Sequence, residues 1–522
     1  MNKNGNNFSR RQFLQFTAAG AVAGFLSGFK LPDNQKKPNI LFIAADDLRP
    51  ELNCYGVNYV KSPNIDMIAR NGFLFRQAHC QSAVCNPSRA SLMTGLRPDS
   101  TKVWDLNTNF RTTIPDAVTL PQYFKTNGYY AAAIGKIYHN IFPDDQSWSE
   151  PEMHIKGYPF DPDAVYRGQE NVELIEKRKK EIIANGNEKR FIDKYGEWYI
   201  KSKATEVVDM PDNVYYDGAQ TDVAIDKLAE LSKMEKPFFF GIGYYRPHLP
   251  FNVPKKYWDM YDREKIPLAP NDYLPKNSPP MAINNLRELL GYTDFRKYKH
   301  PAEGKLDEAD ARLLKHGYLA SVTYVDTLIG RLIERLKELK VYDNTIIILW
   351  GDNGWKLGEH NSWCKMTNYE VDTRVPLIVS TPETRSKNIK CDGMVEFVDI
   401  YPSLCQLAGL KIPDGLEGTS FVPLMKNPKR QWKKAVFSQY LSEGIWTPPD
   451  GITYMGYSIR TERYRYVEFY NWKTKEYAAC ELYDHKVDPD ENNNIAVLDK
   501  NKELVKKLSA QLKKGWKAAL PG

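Results

Sequence analysis

The sequence predicts an α/β fold: a large, mostly parallel sheet flanked by helices, followed by a smaller C-terminal unit with an antiparallel sheet and a helix. Three observations predict it. Short unbroken apolar runs recur far apart, at 39–45, 238–243 and 345–350, as strands buried on both faces require. Helix-periodic segments lie between them. The stretch 318–340 sets Val322, Val325, Leu328, Ile329, Leu332 and Leu336 on one face. From about Asn427 the texture changes to alternating, aromatic-rich runs at 435–440, 455–460 and 464–470, which read as a small antiparallel sheet, closed by a Lys- and Leu-rich helix over about 501–519. In open sheets of the parallel kind, ligands gather at the carboxyl ends of the strands.

Taken in chain order, the N-terminus reads as an address. Ser9, Arg10, Arg11, Gln12, Phe13 and Leu14 precede a weakly apolar run to Phe29, diluted by Gln15, Thr17, Gly20, Gly24, Ser27 and Gly28. Adjacent arginines before such a run match a twin-arginine export signal, here over 1–31. The run is too short and too polar for a membrane span, which takes about 20 apolar residues. The expected protein is therefore periplasmic or secreted, with no stable membrane insertion once the signal is removed. The main domain is expected over 38–426, with a charged surface insertion at 163–209, and a C-terminal subdomain over 427–522. The net charge of +7, from 72 basic and 65 acidic residues, is spread along the chain and argues against a nucleic-acid partner. Cysteines number seven, so at least one lies outside any set of intrachain disulfides.

Polar residues follow the apolar runs. Asp46 and Asp47 end the first, Asp352 and Asn353 follow the one near Trp350, and the one near Gly243 leads to His248. Neighbouring carboxylates repel unless a cation sits between them. Three Asp and an Asn carbonyl form an all-oxygen set that suits Ca²⁺ or Mg²⁺ better than Zn²⁺. The alternative for the Asp46–Asp47 pair is a helix cap.

Cys85, Pro87, Ser88 and Arg89, followed by Leu92, Thr94 and Gly95, match the C-x-P-S-R and L-x-T-G elements of type I sulfatases. On these residues the chain resembles the sulfatase family, with its alkaline-phosphatase-like fold. The resemblance implies that a maturation enzyme oxidises Cys85 to formylglycine, and that one Ca²⁺ (or Mg²⁺) binds to Asp46, Asp47, Asp352, Asn353 and the modified Cys85. A hydrated aldehyde carries two hydroxyls on one carbon. One attacks sulfur and expels the alcohol; loss of the proton from the other then pushes out inorganic sulfate and restores the aldehyde. The same resemblance assigns Arg89 as a fixed positive charge and Lys136, in a Gly-Lys-x-x-His segment, as a sulfate ligand. It makes His139 the base on the hydrate, His248 the acid at the ester oxygen, and Lys365 a second sulfate ligand.

Further segments, 96–101, 104–107, 243–251 and 455–461, resemble the iduronate-2-sulfatase branch, which carries His where this chain has Asn353. The implied partner is a sulfated polysaccharide or oligosaccharide, either a glycosaminoglycan with 2-O-sulfated uronate or an algal ulvan. Trp104, Trp355 and Trp363 are candidates for a sugar face or for ordinary core. Arg460, Arg463 and Arg465 could meet uronate carboxylates or line a solvated strand. His360 stands between a structural imidazole and a neighbour of the site, and His79, His154, His300, His316 and His485 read as structural. Two alternatives remain: a phosphatase or phosphodiesterase of the same superfold, and a non-catalytic binder of sulfated glycans.

Overall fold

The computed structural model describes residues 36–139, 142–155, 165–187, 189, 200–442 and 447–521. The expected export segment lies outside them, as does part of the 163–209 insertion. The central sheet has eight strands. Its strands are β1 (Asn39–Ala45), β2 (Phe73–His79), β3 (Tyr130–Gly135), β4 (Phe238–Tyr244), β5 (Thr345–Gly351), β6 (Arg374–Ser380), β7 (Ile389–Cys391) and β8 (Val395–Glu396). The order is β7-β2-β6-β5-β1-β4-β3, with β8 also on β2. The half that matters for function, β5-β1-β4-β3, is parallel throughout. β6 runs antiparallel to both of its neighbours, so the sheet is mixed. β1, β4 and β5 are buried at every residue, as their unbroken apolar runs predicted.

Among the helices around the sheet and its C-terminal companion are α1 (Cys85–Thr94), α2 (Gln169–Ala184), α3 (Tyr216–Leu231), α4 (Glu308–Glu338) and α5 (Lys502–Lys514). α4 begins well before the expected 318. Its first turn carries Glu308 and Asp310, which favour a helix N-terminus, but few apolar residues, so periodicity alone places the start too late. α4 then packs Leu319, Val322, Leu328, Leu332 and Leu336 into the main core. α2 lies in the charged insertion and buries only Asn171 and Ile182, as a surface helix should.

The C-terminal sheet is β9 (Ala435–Ser442), β10 (Tyr454–Thr461), β11 (Tyr464–Asn471) and β12 (Tyr477–Asp484), antiparallel in chain order. Alternation decides its faces. Ile459, Tyr466 and Leu482 point one way and bury Leu508 of α5. Val467, Phe469 and Tyr483 point the other way and pack on Tyr369 of the central domain.

The three arginines, read from the sequence as possible uronate contacts or as a solvated strand face, are instead engaged in ion pairs. Arg460 pairs with Glu370 at 2.9 Å, Arg465 is 1% exposed and pairs with Glu491, and Arg463 pairs with Asp484 at 2.7 Å. Arg460 and Arg465 thus brace the sheet against the loops beneath it. Burial alone would raise the Glu370 carboxyl, but Arg460 holds it down to about 2. A carboxyl depressed in the folded state contributes stability that is present above its unfolded value of about 4.3 and is lost as pH falls towards 2. Glu370→Gln is therefore expected to flatten the loss of stability over that window, read as urea midpoints against pH.

Among the described residues, no helix is long and apolar enough to cross a membrane.

Candidate active site

Four adjacent parallel strands deliver the predicted residues to one edge of the sheet. β1 ends in Asp46 and Asp47, β5 in Asp352 and Asn353, β3 leads into Lys136 and His139, and β4 leads into Arg246 and His248. The backbone must fold tightly to bring β3 and β4 together there. Gly135 adopts φ 77°, and a Cβ on Gly243 would meet the Lys136 carbonyl carbon at 2.2 Å. Across this edge lies the N-terminus of α1, with Cys85 as its first residue. A helix N-terminus carries partial positive charge and unpaired N–H groups, which suits an anion.

Arg89, one turn into α1, is fully buried and ties the carboxylates together. Its Nε donates to Asp352 Oδ2 at 2.9 Å and its Nη2 to Asp46 Oδ1 at 3.1 Å. Lys136 Nζ donates to the other oxygen of Asp46. Lys365 follows a two-stranded hairpin, Lys356–Leu357 with Trp363–Cys364. Its Nζ donates to Asp47 Oδ1 and lies 3.1 Å from Cys85 Sγ. Ligand atoms of Asp46, Cys85 and Asp352 lie within 4.8 Å of one another. Lys136, Asp46 and Arg89 all act electrostatically on His139, whose imidazole burial and Lys136 push well below its ordinary range.

The charges do not settle evenly. Burial tends to raise Asp46, but Lys136, His248 and Arg89 hold it well below the usual carboxylate range. Asp47 is pushed up to about 7, because burial outweighs Lys365. Burial also raises Asp352 and, with Asp46 beside it, the Cys85 thiol.

Two buried oxygens in this cluster, Asp47 Oδ2 and Asn353 Oδ1, accept no hydrogen bond. Leaving such groups unpaired costs about 1–3 kcal/mol each. Together with Asp46 and Asp352 they form a set of hard oxygen donors, and that set fits a hard divalent cation.

The family model for sulfatases matches residues 38–410. The chain belongs to the sulfatase family. A second model, the C-terminal region of N-sulphoglucosamine sulphohydrolase, matches 358–518. This sulfatase is 32% identical to human iduronate 2-sulfatase and 31% to that of Mus musculus, over 88% of this chain and 90% of each relative. It is 30% identical to a sulfatase of Formosa agariphila over 92% of this chain and 87% of that one. Its fold also matches a complex solved with the substrate D-glucosamine-2-N,6-O-disulfate (TM-score 0.69, 23% identity, 92% of this chain and 99% of that one). A phosphonate monoester hydrolase from Silicibacter pomeroyi matches equally well (TM-score 0.69, 22% identity, 92% and 96%). The protein is a sulfuric ester hydrolase.

Not every expected residue of the sulfatase is placed as a substrate contact would be. Trp355 and Trp363 are 1% and 4% exposed and belong to the main core. Trp355 stands under the site, with Lys365 Nζ 5.4 Å from its ring. Trp104 is half-buried, held by Asp99 at 3.0 Å and set against Trp472. Its loop is tied to the start of α1, because Asn86 donates to the carbonyls of Asp105 and Thr108, both at 2.9 Å. His360 is buried; its Nε2 bonds the Asp490 carbonyl at 2.8 Å and its ring faces Tyr369. It joins the Tyr369 segment to the loop at Asp490.

Glu288 is the site residue that sequence reasoning missed. Its Oε1 lies 3.0 Å from His248 Nε2 and 4.0 Å from Lys365 Nζ. It stands in irregular backbone just before a short 3-10 turn, in none of the segments that resemble the family, so pattern alone offers no signal for it.

Proposed function

We propose that this protein is an exported sulfatase that removes sulfate from a sulfated polysaccharide or its oligosaccharides, using formylglycine made from Cys85 and one divalent cation. The observation that carries this reading is the seat of Cys85. It is the first residue of α1, 3.1 Å from Lys365 Nζ, amid Asp46 and Asp352. The cation, Ca²⁺ in preference to Mg²⁺, would be held by Asp46, Asp47, Asp352, Asn353 and the modified Cys85. When bound it lowers the pKa of a hydroxyl and neutralises sulfate oxygens.

The chain's own side chains supply the rest. Arg89 keeps Asp46 and Asp352 in place. Lys136 and Lys365 bind sulfate oxygens from two sides. His139 accepts a proton from the hydrated aldehyde, and His248 Nε2 gives one to the departing alcohol.

The substrate class rests on the 31–32% identity to iduronate 2-sulfatases. It favours a uronate-containing glycan, either a glycosaminoglycan fragment or an algal ulvan. Trp104, on the loop that Asn86 ties to the start of α1, is our candidate for contact with a sugar. Residues 1–31 direct export by the twin-arginine route, and a maturation enzyme converts Cys85. Domain bounds of 38–426 and 427–522 follow the change in sequence texture.

Sulfate release from a panel of defined sulfated oligosaccharides, half glycosaminoglycan and half algal, tests the reading. Faster hydrolysis of phosphate or phosphonate esters than of any sulfate ester overturns it. Chelation of the holoenzyme is expected to abolish turnover and lower the melting temperature, with Ca²⁺ restoring both. A chelated protein that keeps its activity would remove the cation from the scheme.

A further inference from the structure

Glu288 makes a strong contact in the site and has no part in the scheme above. His248 presents its Nδ1 to the Leu249 carbonyl at 2.6 Å, which leaves Nε2 as the nitrogen for a ligand. In this structure Nε2 faces Glu288 Oε1 at 3.0 Å. A ring nitrogen has one N–H and serves one acceptor well at a time. Glu288 and the ester oxygen of a substrate therefore contend for the same position. The same carboxylate oxygen lies 4.0 Å from Lys365 Nζ, so it stands between the two groups assigned to the sulfate ester. Its second oxygen is buried and, among the described residues, accepts no hydrogen bond, so the carboxylate is held chiefly by His248, with Lys365 at longer range.

The main chain around Glu288 is fixed. Leu286, Leu289 and Tyr292 are 2%, 0% and 0% exposed. Asn284 donates its amide to the carbonyls of Trp363, at 3.0 Å, and Lys365. That clamp joins the Glu288 segment to the hairpin that carries Lys365. An exchange between carboxylate and sulfate must then occur by rotation of the Glu288 side chain alone. The carboxylates of Asp46, Asp47 and Asp352 are already paired with Arg89, Lys136 and Lys365, so the added carboxylate of Glu288 acts on bound sulfate by competing for its donors.

We propose that Glu288 is an internal competitor of sulfate: in the free enzyme it holds His248 and faces Lys365, and it retakes that position as inorganic sulfate departs, hastening product release. The inference rests on the reading of this edge as a sulfate-ester site.

Calorimetric titration of inorganic sulfate into the cation-loaded protein tests it, with sulfate inhibition of turnover as a second readout. Glu288→Gln is expected to bind sulfate more tightly by on the order of tenfold, the size of one charge-assisted hydrogen bond no longer displaced. A merely structural role would weaken binding instead. Glu288→Asp keeps the charge but is one methylene too short to hold Nε2, and it is also expected to bind sulfate more tightly. Unchanged or weaker sulfate binding in Glu288→Gln overturns the proposal. So does tightening in Gln with none in Asp, which would mean through-space charge without competition. If sulfate binds neither the native protein nor the variants, the sulfate-ester reading itself fails.

Discussion

Cys85→Ala is expected to abolish sulfate release, by at least about 10⁴-fold, while the protein stays folded. The side chain is small and packs against Lys365 and the carboxylates, so its loss should leave the unfolding midpoint nearly unchanged. Cys85→Ser separates the chemistry from the geometry. A serine hydroxyl could attack sulfur, but the ester it forms has no second hydroxyl on the same carbon to expel sulfate. At most one turnover is expected, seen as a burst with no steady state. The companion measurement is the mass of the peptide that contains residue 85, which should be lighter than the cysteine form by the exchange of CH₂SH for CHO. Steady turnover by Cys85→Ala would sink the mechanism, and an unmodified thiol in fully active protein would sink the formylglycine assignment.

Lys433→Met is expected to cost about 3–5 kcal/mol of stability without touching the chemistry. Lys433 is nearly inaccessible, and its ammonium serves Glu396 at 2.7 Å and both oxygens of Asp399 at 2.7 and 2.8 Å. Glu396 also receives a bidentate pair from Arg97, both bonds at 2.8 Å, and the Phe437 N–H of β9 at 2.9 Å. Arg97 and Lys433 together hold the Glu396 carboxyl far below its ordinary range against the opposing effect of burial. Removing the ammonium leaves buried Asp399 with backbone hydrogen-bond donors only, and with Arg97, already committed to Glu396, as the cation near it. The cluster joins β8, the segment after α1 and the first C-terminal strand. The expected signature is thus a lower urea midpoint, with kcat per folded molecule preserved. A midpoint within about 0.5 kcal/mol of the native protein would show that the cluster relaxes or admits water.

Much of the site was legible because its residues sit at strand ends and within a short motif. Unbroken apolar runs located β1, β4 and β5, and a parallel sheet turns such runs into a shared edge. Asp46, Asp352 and His248 needed only that rule to be brought together, and Cys85 needed its neighbours Pro87, Ser88 and Arg89. The misjudged residues share a different cause. Trp355 and Trp363 lie close to the site in the chain, but sequence proximity says nothing about whether a face is open, and theirs are packed in the main core. Arg460 and Arg465 look like surface cations on alternating strands. Their partners Glu370 and Glu491 lie 90 and 26 residues away, a distance no local pattern spans. Glu288 was invisible for the same reason: its meaning lies in His248 and Lys365, and its own neighbours in the chain carry no period. The late start expected for α4 has a local cause, since its first turns are anchored by charge where apolar periodicity is thin.

The burial of Cys85 has a consequence for timing. The residue is 3% exposed, and Ser88 and Arg89 of the same motif are 0% exposed. An enzyme that must grip this stretch of chain and oxidise its thiol could not do so in the folded protein without unwinding the first turn of α1 and breaking the Arg89 bridges. On the proposed formylglycine reading, conversion of Cys85 belongs to the interval between synthesis and folding. Molecules that fold before they meet the maturation enzyme would be sealed in an inactive state for life. The specific activity of a preparation would then record how that race was run in the producing cell, and supplying the maturation enzyme to purified protein later should not raise it.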